Sequence, residues 1–136
     1  MARNAFDAYD EKFVPFSNKA ILPGVQAVPL FGHTPGHTPG HTPGHTGYVV
    51  GDEKSSLLIW GDIVHFPHLQ MAHSEVTIAF DSDPSEASKV RSARFDRVAT
   101  DQLSISGMDF NLPAPGKIHR EHNHYRLDYD TWSPAV

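Results

Sequence analysis

Gly32-His33-Thr34-Pro35-Gly36-His37-Thr38-Pro39-Gly40-His41-Thr42-Pro43-Gly44-His45-Thr46 runs a four-residue unit, His-Thr-Pro-Gly, three times and closes on a fourth His-Thr. Each Thr-Pro-Gly-His step can form a type II turn, because proline presets φ at the second position and glycine accepts positive φ at the third. Such a turn holds its first and fourth Cα atoms within roughly 7 Å. Imidazoles recurring on every turn can therefore converge on one point. Neutral imidazole is the commonest protein metal ligand, so convergence implies a metal site. A flexible low-complexity linker that happens to carry histidines is the competing reading. The repeat alone does not separate the two.

On the N-terminal side of the repeat, Val25-Gln26-Ala27-Val28-Pro29-Leu30 alternates as a strand behind a Leu22-Pro23-Gly24 turn. Further back, Phe6, Tyr9, Phe13 and Phe16 are spaced by three, four and three, which predicts a packing helix over 3–16. This makes 1–20 an amphipathic N-terminal segment. On the C-terminal side, Gly47 to Val50 and Ser56 to Trp60 predict two strands joined by a hairpin turn at Gly51-Asp52-Glu53-Lys54. The second of these runs into Gly61-Asp62-Ile63-Val64-His65. A carboxylate directly after a buried strand end stands on a rigid support, as a functional group needs.

Phe66 to Ser74 reads as irregular, and Val76-Thr77-Ile78-Ala79-Phe80 as a fourth strand. Asp81-Ser82-Asp83-Pro84 then starts a helix reaching about Thr100, with Pro84 in its first turn and an apolar stripe of Ala87, Val90, Ala93/Arg94 and Val98. Leu103 to Ile105 is another strand, ending in Gly107-Met108-Asp109, and a loop over 111–116 leads to an antiparallel pair, Ile118 to Arg120 and Tyr125 to Tyr129. Strands, a helix and strands again give an α+β fold. The loops bearing the repeat, Asp62 and Asp109 all leave strand ends, where they can share one rim.

The 136 residues suit one domain, and 39% hydrophobic residues with a mean hydropathy of -0.38 describe a globular chain at the polar end of the usual range. A net charge of -5 argues against a general nucleic-acid binder. No cysteine is present, so thiolate metal sites and disulfides are excluded. Any metal must take His, Asp, Glu or backbone oxygen, which suits zinc, manganese or iron. No apolar run approaches the roughly 20 residues of a membrane span and no signal-peptide pattern opens the chain. The expectation is a cytoplasmic protein without membrane partners. Ten histidines are the unusual count, grouped in the repeat, at His65, His68 and His73, and at His119, His122 and His124.

Taken in order, these residues resemble the C-terminal half of the metallo-β-lactamase fold superfamily. The carriers are Gly-His-Thr-Pro-Gly-His-Thr before a strand, Leu57-Leu58-Ile59-Trp60-Gly61-Asp62-Ile63-Val64-His65, Phe80-Asp81-Ser82-Asp83-Pro84, Gly107 to Pro113, and Tyr125-Arg126-Leu127. The subgroup most similar contains lactonases, organophosphate hydrolases and related esterases. The resemblance implies half of an αββα sandwich over 21–130, a mixed sheet with helices on one face, with 32–46 as its repeat loop and 131–136 as a tail. It implies His45 as a metal ligand and Asp62 as a catalytic residue bridging two metals. Asp109 stands where the third ligand is normally histidine.

The superfamily's His-x-His-x-Asp-His motif is absent from this chain, and three Thr-Pro-Gly-His steps stand where the family has one. His33, His37 and His41 are candidate replacements for the missing ligands, with His65 and His119 in reserve. Zinc leads as the cofactor, with manganese and iron as alternatives, and open positions on it would carry water whose pKa falls toward about 7. A half-sandwich leaves its inner sheet face uncovered, and self-pairing into a homodimer is the commonest closed solution. Three functions follow. One is a metal-dependent hydrolase in truncated form, acting on a small-molecule ester, lactone, phosphoester or β-lactam. Another is a non-catalytic metal-binding half-domain or engineered fragment, and the third is a self-associating structural module.

Overall fold

Short β-rich runs between Gly- and Pro-bearing turns assemble into one seven-stranded sheet. The computed structural model describes residues 2–9, 12, 20–34, 44–52, 55–111 and 115–131. The strands are β1 (Ala20–Leu22), β2 (Val25–Pro29), β3 (Thr46–Gly51), β4 (Ser56–Ile59), β5 (Ser104–Ser106), β6 (Gly116–Glu121) and β7 (His124–Tyr129). They lie side by side in chain order. Every neighbouring pair is antiparallel except β4 and β5, which run parallel. Parallel neighbours need a crossover connection, and here it contains α2 (Pro67–Gln70) and α3 (Pro84–Asp101). An N-terminal helix, α1, covers Ala2–Tyr9.

Strand register sorts the side chains into two faces. Val49, Leu58 and Ile105 form one row across β3, β4 and β5. With Val28 and Ile118 they face α3, whose Ala87, Phe95 and Val98 complete the core. Trp60, just past β4, is fully buried and stacks edge-on to Phe110 at 5.5 Å and obliquely to Phe95 at 5.8 Å. The opposite face is divided. One row runs Val25, Val50, Leu57, Ser104, Lys117, Asp128, and the next runs Ala27, Tyr48, Ile59, Ser106. That face is apolar over β2–β4 and polar over β5–β7.

The α3 start matches the capping expectation: Asp83 accepts from the Glu86 amide at 3.0 Å, and Pro84 occupies the first turn. The helix ends on Gln102 at φ 53, whose amide bonds to the Val98 carbonyl. Its buried stripe, however, is Ala87, Arg91, Phe95, Val98 and Ala99. Val90 is only half-buried and Ala93 is exposed, so the expected stripe is rotated toward the arginine.

Two local expectations are corrected. Pro67–Gln70 forms a short helix inside the stretch expected to be irregular. The stretch Val76 to Phe80 forms no strand. Its polar backbone groups are taken by side chains instead. The Val76 carbonyl accepts from Arg91 at 2.6 Å and from the Gln70 amide at 2.9 Å, while the Ile78 amide donates to Asp81 at 3.2 Å. The backbone groups of Val76 and Ile78 are thus already committed within the crossover, which leaves them unavailable to a strand ladder. The N-terminal helix is described to Tyr9; apart from Lys12, the rest of the expected 3–16 helix lies outside the described residues, as do residues 53, 54 and 132–136.

Arg91 has no solvent exposure, donates to the carbonyls of Ile63 (2.8 Å), Ser74 (2.9 Å) and Val76, and stands 3.5 Å from the Asp81 carboxylate. Removing one partner of a buried ion pair strands the other. Arg91→Met should therefore lower unfolding stability in urea by about 3–5 kcal/mol, and Arg91→Lys should not restore it, because an ammonium lacks the planar fork that reaches all these acceptors. A loss near zero for both variants would show that this network carries no stability.

Candidate functional site

Loops leaving β2 and β4, and the loop entering β3, bring His33, His45, Asp62 and His65 to one rim of the sheet. His33 is seated by the start of α3. The Asp83 amide donates to the Gly32 carbonyl at 2.9 Å, and the Ser82 amide to the His33 carbonyl at 3.1 Å. His45 enters β3 with its carbonyl accepting from the Leu30 amide at 2.8 Å. The two ends of the repeat also meet: a Cβ added to Gly44 would stand 2.4 Å from the Thr34 carbonyl oxygen. Glycine is demanded at Gly61, where φ is +59° and a Cβ would stand 2.6 Å from the His45 ring. That absent side chain is what lets the imidazole lie against the turn carrying Asp62.

Hydrogen bonds set the ring protons. Asp81 can only accept, so His33 Nδ1–H donates to its carboxylate at 3.1 Å. His33 Nε2 then lies 3.9 Å from Asp62 Oδ2, able to accept when the ring is neutral and to donate when it is charged. His45 Nε2 lies 2.7 Å from the Trp60 carbonyl and 3.2 Å from the Asp62 amide nitrogen. One nitrogen cannot donate to the first and accept from the second in the same tautomer. The shorter contact is the bond to Trp60, which leaves Nδ1 of His45 as the free acceptor. The His33 ring packs edge-on to His45 at 5.4 Å and tilted to His65 at 4.8 Å. His65 Nδ1 is buried without a described partner, while the His65 and Phe66 amides both donate to Gln70 Oε1, at 2.8 and 3.0 Å.

Ring nitrogens whose opposite N–H is tied to a carboxylate or a backbone carbonyl are arranged as metal-binding histidines usually are. In chemistry the donors suit a divalent transition metal. In number they do not: among the described residues no three His, Asp or Glu side chains could hold one ion. The described residues alone therefore do not fit a resident metal.

The remaining expected site residues are scattered. Asp109 is exposed on the turn after β5 and reaches the cluster only through its charge, which acts on His65. His119 lies on β6, 3.5 Å from Asp128, on the polar half of the open face and apart from the cluster. His37 and His41 lie outside the described residues. The residues that organise the cluster but were not expected to are Asp81, Gln70, Arg91 and the Trp60 carbonyl. Asp81 left a sequence signal inside Phe80-Asp81-Ser82-Asp83-Pro84, and Arg91 left one as a charged residue at core spacing between Ala87 and Phe95.

Comparison with known proteins follows the same lines. A family model described as "Metallo-beta-lactamase superfamily" matches residues 2–102. No curated protein matches the chain. Among solved structures, the hydrolase AbOPH of the beta lactamase superfamily is similar at TM-score 0.81 and 24% identity, over 96% of this chain and 43% of that one. AidC, a dizinc quorum-quenching lactonase in complex with a product, gives TM-score 0.75 and 17% identity, over 96% of this chain and 42% of its own. A probable metal-dependent hydrolase from Staphylococcus aureus gives TM-score 0.60 and 16% identity, over 91% and 43%. The chain thus spans less than half the length of the solved structures it matches, and at these identities the likeness shows the fold alone.

Burial, and after it the neighbouring His33 ring, push the His65 pKa below its ordinary value of 6.5, against the opposing pull of Asp109, Asp62 and Asp81. With the folded value depressed, the unfolded chain takes up the proton first as pH falls. His65 thus favours the folded state above about 6.5, and that contribution shrinks as pH drops toward the folded value. In an NMR titration the His65 ring should turn over below 6.5, and Asp109→Asn should lower it further. A midpoint at or above 6.5 that ignores Asp109→Asn would mean that neither burial nor Asp109 acts on this ring.

Proposed function

This chain belongs to the metallo-beta-lactamase superfamily, and from that premise we propose that it is a metal-dependent hydrolase in half-domain form, with a donor set completed from beyond its described residues. One observation carries the reading. His33 Nε2 and Asp62 Oδ2 face each other at 3.9 Å, with the opposite ring nitrogen of His33 held by Asp81. With the ring neutral, Nε2 and the Asp62 carboxylate offer two donors to one cation, the arrangement of a histidine held for metal binding. Zinc suits the imidazole and carboxylate set, and manganese or iron can substitute. His37 and His41 are the nearest further histidines in sequence.

The chain's own groups divide the work by exposure. His33 is anchored, its side chain 10% exposed, whereas the Asp62 side chain is 44% exposed at the rim and can meet a substrate or a water. The substrates in view are an ester, lactone, phosphoester or β-lactam, each cleaved by adding water across an acyl or phosphoryl bond. A metal-binding half-domain without turnover is the second reading, favoured by the absence of a three-donor group among the described residues. We further propose that the apolar β2–β4 portion of the open sheet face pairs with a second copy of the chain. Val50 and Ile59 there are each 39% exposed, and a contiguous apolar patch usually marks an association surface.

Zinc titration by calorimetry and elemental analysis should find stoichiometric metal in the wild type. His45→Ala should weaken it at least tenfold, and Asp81→Asn, which loosens the hold on His33, by about 10–100-fold. Turnover of a lactone, phosphotriester or β-lactam that vanishes in Asp62→Asn establishes the hydrolase. Metal without turnover leaves the half-domain, and no bound metal defeats both. In light scattering over a dilution series, the dimer should dissociate in Ile59→Glu; a compact monomer at all concentrations rules out the pairing.

A further inference from the structure

α3 packs chiefly over β6, so its C-terminal half stands off from the other end of the sheet. A cavity of about 300 Å3 lies in that gap, lined by Val28, Val49, Leu58, Val98 and Leu103 and by Arg94, Arg97 and Asp101 of the helix. It opens on the helix-covered side of the sheet, away from the rim that carries the histidines. Arg94 is half-buried at its mouth. Its described hydrogen bond goes to the Pro29 carbonyl at 3.3 Å, and no described carboxylate pairs with it. Desolvation, and after it the charge of Arg97, lower the Arg94 pKa.

We propose that this cavity binds a small aliphatic carboxylate, with the carboxylate on Arg94 and the hydrocarbon body against the valine and leucine floor. Three features fit that class together. A guanidinium without a carboxylate, partly removed from water and beside a like charge, gains a charge-assisted and geometrically matched bond when a carboxylate arrives. Val28, Val49, Leu58, Val98 and Leu103 give the cavity an apolar portion beside its polar residues, Gln26 among them, and that portion suits methylene groups. The carboxylate of Asp101 does not oppose the anion, because Arg97 holds it at 3.2 Å. At about 30 Å3 for each water-sized group, the volume holds about ten non-hydrogen atoms. Octanoate has that size.

The test titrates octanoate into the full chain in EDTA, followed by NMR of the valine and leucine methyl groups, so that metal binding at the rim plays no part. Saturable binding is expected, with shifts confined to Val28, Val49, Leu58, Val98 and Leu103. Arg94→Gln should weaken it at least tenfold while the methyl spectrum stays folded, and octanol should bind at least tenfold more weakly than octanoate. Val49→Phe, which fills the floor, should abolish binding even with Arg94 in place. No saturation by millimolar octanoate, equal affinity for octanol, or indifference to Arg94→Gln would each overturn the assignment.

Discussion

A buried guanidinium holds this site in place. Arg91 sits under the sheet's rim with no solvent exposure, and it donates to carbonyls from three separate points of the crossover, at Ile63, Ser74 and Val76. Charge balance brings Asp81 to it at 3.5 Å. Asp81 in turn fixes the proton of His33, and that decides which nitrogen of His33 faces Asp62. The cluster is thus the outer end of a chain of obligations that begins with one desolvated charge. A buried pair of this kind adds little net stability compared with an apolar filling. What it does add is a single arrangement for an otherwise irregular segment, because no other set of donors in the core could satisfy those carbonyls.

Local signals were readable and remote ones were not. Alternation and turn residues located β2, β3, β4 and β5, and Asp83-Pro84 marked the start of α3, because each of these depends on a few adjacent residues. Val76 to Phe80 has the composition of a strand, yet its partners are Arg91, Gln70 and Asp81, and nothing in a five-residue window shows that its backbone groups are already claimed. The helix stripe erred for a related reason. The expected stripe passed over Arg91, which lies on the buried line between Ala87 and Phe95. A charged residue at core spacing is the signal that was available. The His33–Asp81 bond spans 48 residues and has no local signature at all. His45 and Asp62 were picked from motif likeness, and their adjacency became visible only with the Gly61 turn.

The divided outer face bears on how the chain meets its surroundings. From β5 to β7 it carries serines, Lys117, His119, Arg126 and Asp128, and ion pairs such as Arg126 with Asp128 at 2.8 Å keep it compatible with water. From β2 to β4 it carries valine, alanine, tyrosine, leucine and isoleucine. Any cover therefore needs to reach only one half of the sheet. The boundary falls at the parallel β4–β5 pair, the same place where the chain leaves the sheet to build the rim. Site and apolar patch are neighbours by topology.

The contact between Thr34 and Gly44 closes the repeat at its base. His33 and His45 are positioned by α3, β2, β3 and the Gly61 turn, all of which lie on the near side of that neck. Lengthening a closed loop is thermodynamically gentle, at about 0.6 kcal/mol for each doubling. On that scale alone, one tetrapeptide more or less between Thr34 and Gly44 changes the closure term by less than the contacts that hold His33 and His45 at the base.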